Sequence, residues 1–551
     1  MFSIGTWNDA IGKDLENPFL DVSDVLSPFT RDGLENTGDG VENIGVSEGM
    51  GGAAWLDYNN DGNLDLFITN GVGHANGLFR NNGDGSFTDV AVETRVADVG
   101  GHAGVVAADI DNDGCTDLFL TGEGAFGGIV DGDPTESSCK LYINNCGNED
   151  DGIFTFTDIT ADSGIPEKVH GASAAFGDIN NDGFLDLFIV RPNVLSPAKD
   201  QKNGVFLNNG DQTFTDITET AGLDFAIGTC AASFSDYDND GWTDIFVANC
   251  AALDLTIPGN NPILTPFQLL RNNGDLTFTD VAPDAGLVDL GFWMAVTLAD
   301  IDGDLDLDLF ATNSANLVPL GFPHILYENN GDGTFTNVAT EAGVADWEFG
   351  FGASFADVDN DGDEDLFYAG SLPPAGVIGP GIASPGRLFL NNGEGEFTME
   401  ATFGLNNKYT SGVAVGDFDN NGFPDIVVVT TSFQRPYRPM VPGQPLLLKN
   451  QENKNNWLTV RLVGTISNRG GVGARVKVIA GNLRQVKEVY AGSSFLSTNS
   501  PWLTFGLGKR ILRANIVVVW PSGLTERFVG LASNQTVTLV EATGIPILTH
   551  H

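Results

Sequence analysis

One phrase occurs seven times along this chain, and that repetition narrows the possible folds more than any other feature. The phrase is a strand of small residues, an aspartate-rich loop and an apolar strand. The copies read AAWLDYNNDGNLDLFITN, VVAADIDNDGCTDLFLTG, AAFGDINNDGFLDLFIV, ASFSDYDNDGWTDIFVAN, VTLADIDGDLDLDLFATN, ASFADVDNDGDEDLFYAG and VAVGDFDNNGFPDIVVVT. Their first aspartates, Asp57, Asp109, Asp178, Asp236, Asp300, Asp357 and Asp417, are spaced by 52 to 69 residues. Each interval holds about four strands of ordinary length with their turns.

A second phrase follows the first. It is an apolar pair, Asn-Asn-Gly, a turn and Phe-Thr-Asp-Val, as in LFRNNGDGSFTDV from Leu78 and VFLNNGDQTFTDI from Val205. Asn-Gly and Asp-Gly tolerate positive φ and so favour tight hairpins. Each repeat is therefore expected to make one four-stranded propeller blade. The seventh repeat stops at LLLKN, Leu446 to Asn450, without its last strand, and Phe19-Leu20-Asp21-Val22 near the N-terminus supplies the missing copy. Joining the two closes the ring and removes two exposed sheet edges.

The expected fold is all-β: a seven-bladed β-propeller closed by an N-terminal strand, plus a small C-terminal antiparallel β-domain. The expected boundaries are an extension over 1–17, the propeller over 18–451, the β-domain over 452–546 and a tail over 547–551.

Each loop has the spacing Asp-x-Asp/Asn-x-Asp/Asn-Gly-x-x-Asp. Positions 1, 3 and 5 offer side-chain oxygens, the glycine at 6 permits the turn, position 7 offers a carbonyl and position 9 a last carboxylate. Positions 1, 3, 5, 7 and 9 are Asp57, Asn59, Asp61, Asn63 and Asp65 in the first loop, and Asp109, Asp111, Asp113, Cys115 and Asp117 in the second. The third uses Asp178, Asn180, Asp182, Phe184 and Asp186, and the fourth Asp236, Asp238, Asp240, Trp242 and Asp244. The sixth uses Asp357, Asp359, Asp361, Asp363 and Asp365, and the seventh Asp417, Asp419, Asn421, Phe423 and Asp425. The fifth keeps Asp300, Asp302, Asp304 and Asp308 but has Leu305 in place of the glycine. The fifth and seventh sites are therefore expected to be the weakest.

All these donors are hard oxygens, which suits calcium, up to seven ions, and argues against zinc or copper. Without a cation the loops would repel themselves, because two like charges about 4 Å apart cost on the order of 4 kcal/mol at an effective dielectric near 20.

The chain carries 74 acidic and 26 basic residues, a net charge of −48. Nucleic acid and anionic membranes attract positive surfaces, so no nucleic-acid partner is expected. No apolar run of 18 residues exists, so no membrane insertion by a helix is expected. The N-terminal stretch lacks a basic segment followed by an apolar one, so no secretion signal is expected in this chain. Among the five cysteines, Cys139 with Cys146 and Cys230 with Cys250 are candidate pairs that would leave Cys115 over. Five reduced, mostly buried thiols are the alternative.

The repeats resemble the FG-GAP/VCBS calcium-binding propeller repeats also found in the integrin α-subunit head. The C-terminal region resembles the ASPIC/UnbV domain through Asn456-Trp457-Leu458, SNRGGVGARVKV from Ser467, LTFGLG from Leu503 and VVWPSG from Val518. Together the two halves are similar to the cartilage acidic protein family. That resemblance implies calcium binding and an extracellular or cell-surface location. The C-terminal region is comparatively basic, with Arg461, Arg469, Arg475, Lys477, Arg484 and Lys487, and is expected to dock on the acidic propeller.

No nucleophile elbow, phosphate loop or histidine-rich metal motif is present. Glu48, His102, His170, Trp293 and Tyr409 stand just before or at the start of inner strands and are candidate channel-mouth residues. Two functional readings follow. The first is a binding or adhesion module for a protein or glycan partner. The second is an enzyme working at the channel mouth on a small apolar biosynthetic substrate, by cyclisation or alkylation.

Overall fold

The computed structural model of the chain describes residues 18–26, 50–71, 74–122, 138–147, 154–166, 173–191, 202–223, 228–250, 252–253, 262–263, 265–313, 322–346, 350–370, 386–402, 409–431, 445–509 and 511–549. Strands dominate, and the one helical element among the described residues is the short 3-10 turn Ser23–Leu26. The scarcity of helix follows from the glycine, asparagine and aspartate turns that interrupt the chain every few residues.

Seven four-stranded antiparallel sheets correspond to the seven repeats. Their first strands are Ala53–Leu56, His102–Ala108, Ser173–Gly177, Thr229–Ser235, Trp293–Ala299, Gly350–Ala356 and Tyr409–Gly416. Each packs on the first strand of the next sheet, and the last packs on Ala53–Leu56, so the ring closes. The seventh sheet is completed from the other end of the chain: Phe19 pairs with Asn450, Leu20 with Lys449 and Asp21 with Leu448. The aspartate-rich loop joins the first two strands of each blade, and the Asn-Asn-Gly hairpin joins the last two. The antiparallel order puts both turns at the same end of the blade.

The C-terminal region forms two further four-stranded sheets. Val460, Val478, Phe505, Ile516, Trp520 and Val537 fill the space between them, in one apolar cluster with Val106, Phe119, Phe176 and Phe206 of the second and third blades. One pairing departs from the expected antiparallel pattern: Asn456–Val463 runs parallel to Thr536–Val540. A parallel pair needs a long crossover, and the chain between these strands supplies it by building the second sheet. The tail is also shorter than expected, because Pro546–Thr549 pairs with the strand before it.

The segment from Ala491 to Ser500 leaves this domain and enters the centre of the ring. Trp55 N–H bonds to Thr498 O at 3.2 Å, Val105 to Leu496 O at 3.0 Å and Phe176 to Ala491 O at 2.8 Å. Ser494 N–H bonds to Val296 O at 3.1 Å and Ser500 to Val415 O at 2.8 Å, while Ala353 N–H reaches Ser494 Oγ at 3.0 Å. Six blades thus hold one loop. Phe495 and Leu496 are buried with Met50, Ala103, Phe292 and Phe351. Glycine is required where the backbones meet: a Cβ on Gly52 would lie 1.6 Å from Leu496 O, and one on Gly412 would lie 2.2 Å from Ser497 Oγ.

The disulfides are Cys230–Cys250, as expected, and Cys115–Cys146 in place of Cys139–Cys146. The reason lies in the repeat. Cys115 is position 7 of its loop, and Cys146 replaces the glycine of Asn-Asn-Gly. In other blades the position-7 side chain lies against that glycine, as Phe184 does at Gly210 and Trp242 at Gly274. Cys139 is buried and belongs to neither bridge.

Candidate metal centres and the docked C-terminal domain

The last carboxylate of each loop is fixed in the same way in all seven blades. One oxygen accepts the N–H of the residue after position 1, and the other accepts the N–H of the first hairpin asparagine. For Asp117 these come from Ile110 at 2.9 Å and Asn144 at 2.8 Å. For Asp186 they come from Ile179 at 2.9 Å and Asn208 at 2.8 Å. Asp65, Asp244, Asp308, Asp365 and Asp425 repeat the arrangement.

The first carboxylate is held by the loop's own amides. Gly114 N–H bonds to Asp109 Oδ2 at 2.8 Å and Gly183 N–H to Asp178 Oδ2 at 2.9 Å, with Gly62, Gly241, Gly362 and Gly422 doing the same. The position-7 N–H then bonds to the position-5 side chain in every loop, as Phe184 does to Asp182 Oδ1 at 2.8 Å. Oxygens of the loop carboxylates also converge. Those of Asp109, Asp111 and Asp117 lie within 4.8 Å of one another, as do those of Asp236, Asp238 and Asp244, of Asp300, Asp302 and Asp304, and of Asp357, Asp359 and Asp361.

The fifth loop reaches the same convergence by another route. Every other loop has an asparagine at position 4 and glycine at position 6, both with positive φ; here Gly303 has φ 77° and Leu305 φ 78°. Asp300 is accordingly bonded by Gly303 N–H at 2.8 Å, two residues earlier in the loop than in its siblings.

Burial drives the electrostatics. It pushes the Asp57 and Asp178 carboxyls up to about 6, Asp109 and Asp300 to about 7 and Asp65, Asp186 and Asp244 to about 8, with neighbouring carboxylates adding to the rise. Asp117, Asp308, Asp365 and Asp425 are pushed well above the ordinary range for the same reason. Among the described residues, three buried oxygens of the loop aspartates, Asp109 Oδ1, Asp300 Oδ2 and Asp419 Oδ1, have no hydrogen-bond partner. A buried acceptor without a donor is costly, and a hard divalent cation is the partner this all-oxygen set fits. Cys115 and Cys146 also lie near Asp113, but the disulfide removes their thiolates as ligands.

Two sets of residues were not singled out from sequence. The first hairpin asparagine of each blade donates across the seam to the preceding blade: Asn144 Nδ2 to Tyr58 O at 2.8 Å, Asn208 to Ile110 O at 2.9 Å and Asn272 to Ile179 O at 2.8 Å. The position-4 asparagines donate the other way, from Asn112 to Gly183 O at 2.8 Å and from Asn360 to Gly422 O at 2.8 Å. The signal for both was present, since these asparagines recur in the repeats at fixed places.

The C-terminal domain covers the metal-loop end of the ring. Arg461 donates to Gly62 O at 3.0 Å and lies 3.4 Å over the Trp502 ring. Arg469 N–H bonds to Asn112 Oδ1 at 2.7 Å, and Asn455 Nδ2 to Asp359 O at 2.7 Å. Arg475 enters the interface, bonding to Asn239 Oδ1 and Asp236 O while pairing with buried Glu488 at 3.1 Å. A cavity of about 110 Å³ remains beneath the domain, lined by Phe355, Tyr490 and Trp502 among others.

Of the channel-mouth candidates, the two that are described stand apart. His102 and Trp293 are fully buried in different blades, His102 held by Asp98 at 2.9 Å and Trp293 Nε1 bonded to Thr265 O at 3.0 Å. Glu48 and His170, and the side chain of Tyr409, lie outside the described residues.

The fold and loops define an FG-GAP-type β-propeller protein with a C-terminal cap. The FG-GAP-like repeat family matches residues 57–120, 191–247 and 377–428, and the ASPIC and UnbV family matches residues 464–546. The chain combines FG-GAP repeats with an ASPIC/UnbV domain and is homologous to cartilage acidic protein 1. It is 26% identical to that protein from Xenopus tropicalis over 504 residues, covering 86% of this chain and 70% of the relative. It is 25% identical to the Homo sapiens protein over 508 residues, covering 86% and 69%. A solved structure from Agrocybe aegerita, described as recognising non-reducing terminal N-acetylglucosamine, overlaps 72% of this chain and 93% of its own at 16% identity. Its TM-score is 0.37, too low to carry an argument.

Proposed function

We propose that this chain is a calcium-stabilised propeller that serves as a binding or adhesion module for a protein or glycan partner. The observation that carries the reading is that the chain's own C-terminal domain occupies both the metal-loop end and the centre of the ring. A partner is left the opposite end, presented on a frame that the ions make rigid. The two disulfides agree with an oxidising, extracellular setting. A channel enzyme is not favoured, because His102 and Trp293, the two described candidates for it, are buried in different blades and held by Asp98 and Thr265.

The test is a thermal melt with calcium and after chelation, with ions counted on the same sample, followed by protein and glycan array binding in both states. Close to seven ions per chain, a lower melting temperature after chelation and partner capture lost with it would support the reading. One or two ions with little change in melting would remove its basis.

A further inference from the structure

We propose that in five of the metal loops the position-4 asparagine, Asn60, Asn112, Asn181, Asn360 or Asn420, sets the ion affinity of the next loop around the ring rather than its own. The inference rests on the reading of the loops as cation sites.

The link runs through the peptide between positions 6 and 7. Its N–H is bonded to the position-5 ligand within the loop: Cys115 to Asp113 at 2.8 Å, Phe184 to Asp182 at 2.8 Å and Trp242 to Asp240 at 2.9 Å. Its carbonyl is bonded from the blade before: Asn60 Nδ2 to Gly114 O at 3.1 Å, Asn112 to Gly183 O at 2.8 Å and Asn181 to Gly241 O at 3.0 Å. The seam between the seventh and first blades carries the same link, Asn420 to Gly62 O, at 3.4 Å. Each such peptide is therefore gripped on both edges. Its orientation aims the position-5 carboxylate on one side and the position-7 carbonyl on the other, which are two of the ion's donors. The asparagine in the preceding blade touches neither donor and fixes both through the peptide plane. It is a positioning residue acting across the seam.

The chain of links is interrupted at two adjacent seams, on either side of the fifth blade. Asn239 turns to Asp306 Oδ1 at 3.4 Å, and position 4 of the fifth loop is Gly303, which has no side chain to pass the link to the sixth. The coupled sites thus form an open series beginning at the sixth blade and running through the seventh to the fourth, not an unbroken circle.

The fourth loop provides a local reporter, since Trp242 stands at its position 7 and sensitises terbium(III) luminescence only over a short distance. The experiment is a terbium(III) titration of the full chain, displaced by calcium, with the Trp242→Phe signal subtracted. Asn181→Gly and Asn181→Asp both accept the positive φ of 58° and both lose the donated bond. Each is expected to weaken the Trp242-sensitised site about fivefold, the worth of one ordinary hydrogen bond. Asn420→Gly, which acts on the first loop, is expected to leave it unchanged. Wild-type affinity at Trp242 in both Asn181 variants would overturn the inference. A wild-type chain with no calcium-displaceable signal would instead overturn the reading of the loops as ion sites.

Discussion

Asn81 donates a side-chain N–H to the carbonyl of Phe418 at 2.7 Å, across 337 residues of sequence. This bond joins the first blade to the seventh, so it lies on the seam that closes the ring. Its other side-chain N–H serves Leu64 O at 3.1 Å, within its own blade. Asn208 makes the same two bonds at an interior seam.

Replacing Asn81 by alanine leaves two buried carbonyls without their donor and is expected to cost about 1–3 kcal/mol. Asn208→Ala is expected to cost a similar amount, which denaturant unfolding of the two variants would measure side by side. A much smaller loss for Asn81 would mean that the strand Phe19–Asp21 alone closes the ring.

The repeat made the ring legible: seven phrases, one missing strand and one spare copy foretold the closure through Phe19 and Asn450. The turn geometry of the aspartate-rich loops was legible for the same reason. Relationships between repeats were harder to read. The pairing of Cys115 with Cys146 depends on position 7 touching the hairpin of the same blade, a contact that only the folded blade reveals. The role of Asn112 was hidden because a turn position with positive φ already explains an asparagine. The plug at Phe495 and Leu496 was not legible at all, since an apolar pair in a glycine- and serine-rich loop fits any surface turn.

Two glycines separate backbone strain from domain docking. Gly241 and Gly422 occupy the same loop position with φ 89° and 83°. A Cβ on Gly241 meets nothing within 4 Å, whereas one on Gly422 would lie 1.9 Å from the Trp457 ring. Gly241→Ala is expected to cost about 1–2 kcal/mol, the price of a left-handed residue. Gly422→Ala is expected to cost more and to loosen the C-terminal domain. Amide exchange at Trp55, whose N–H is bonded to Thr498 O, would rise in the second variant only.

The two disulfides are expected to differ in their response to reductant. Cys230 and Cys250 are fully buried, while Cys146 is half-buried, and exchange requires access to a sulfur. Mild reductant should open Cys115–Cys146 first, which alkylation and mass analysis of the folded chain would register. The bridge spans 31 residues, so its loss is expected to lower stability by about 3–4 kcal/mol on the chain-entropy estimate. Simultaneous alkylation of all four cysteines would mean that global unfolding precedes reduction.

His324 links stability to acid. It is completely buried, accepts the Asn313 N–H through Nδ1 at 2.9 Å and meets Tyr368 edge-on at 4.8 Å between ring centroids. Burial, with a smaller push from Arg387, holds its pKa down to about 3 against an ordinary 6.5. Below about 6.5 the unfolded chain therefore takes up a proton that the folded chain refuses. The neutral ring's contribution is complete above that pH and falls as pH drops towards 3, by up to about 1.4 kcal/mol per unit. His324→Gln keeps an acceptor for Asn313 and removes the titration. The stability difference between wild type and this variant should shift against wild type as pH falls from 6.5 to 4.5, while the carboxylates common to both cancel. A difference that stays flat over that range would mean that the ring is protonated inside the fold.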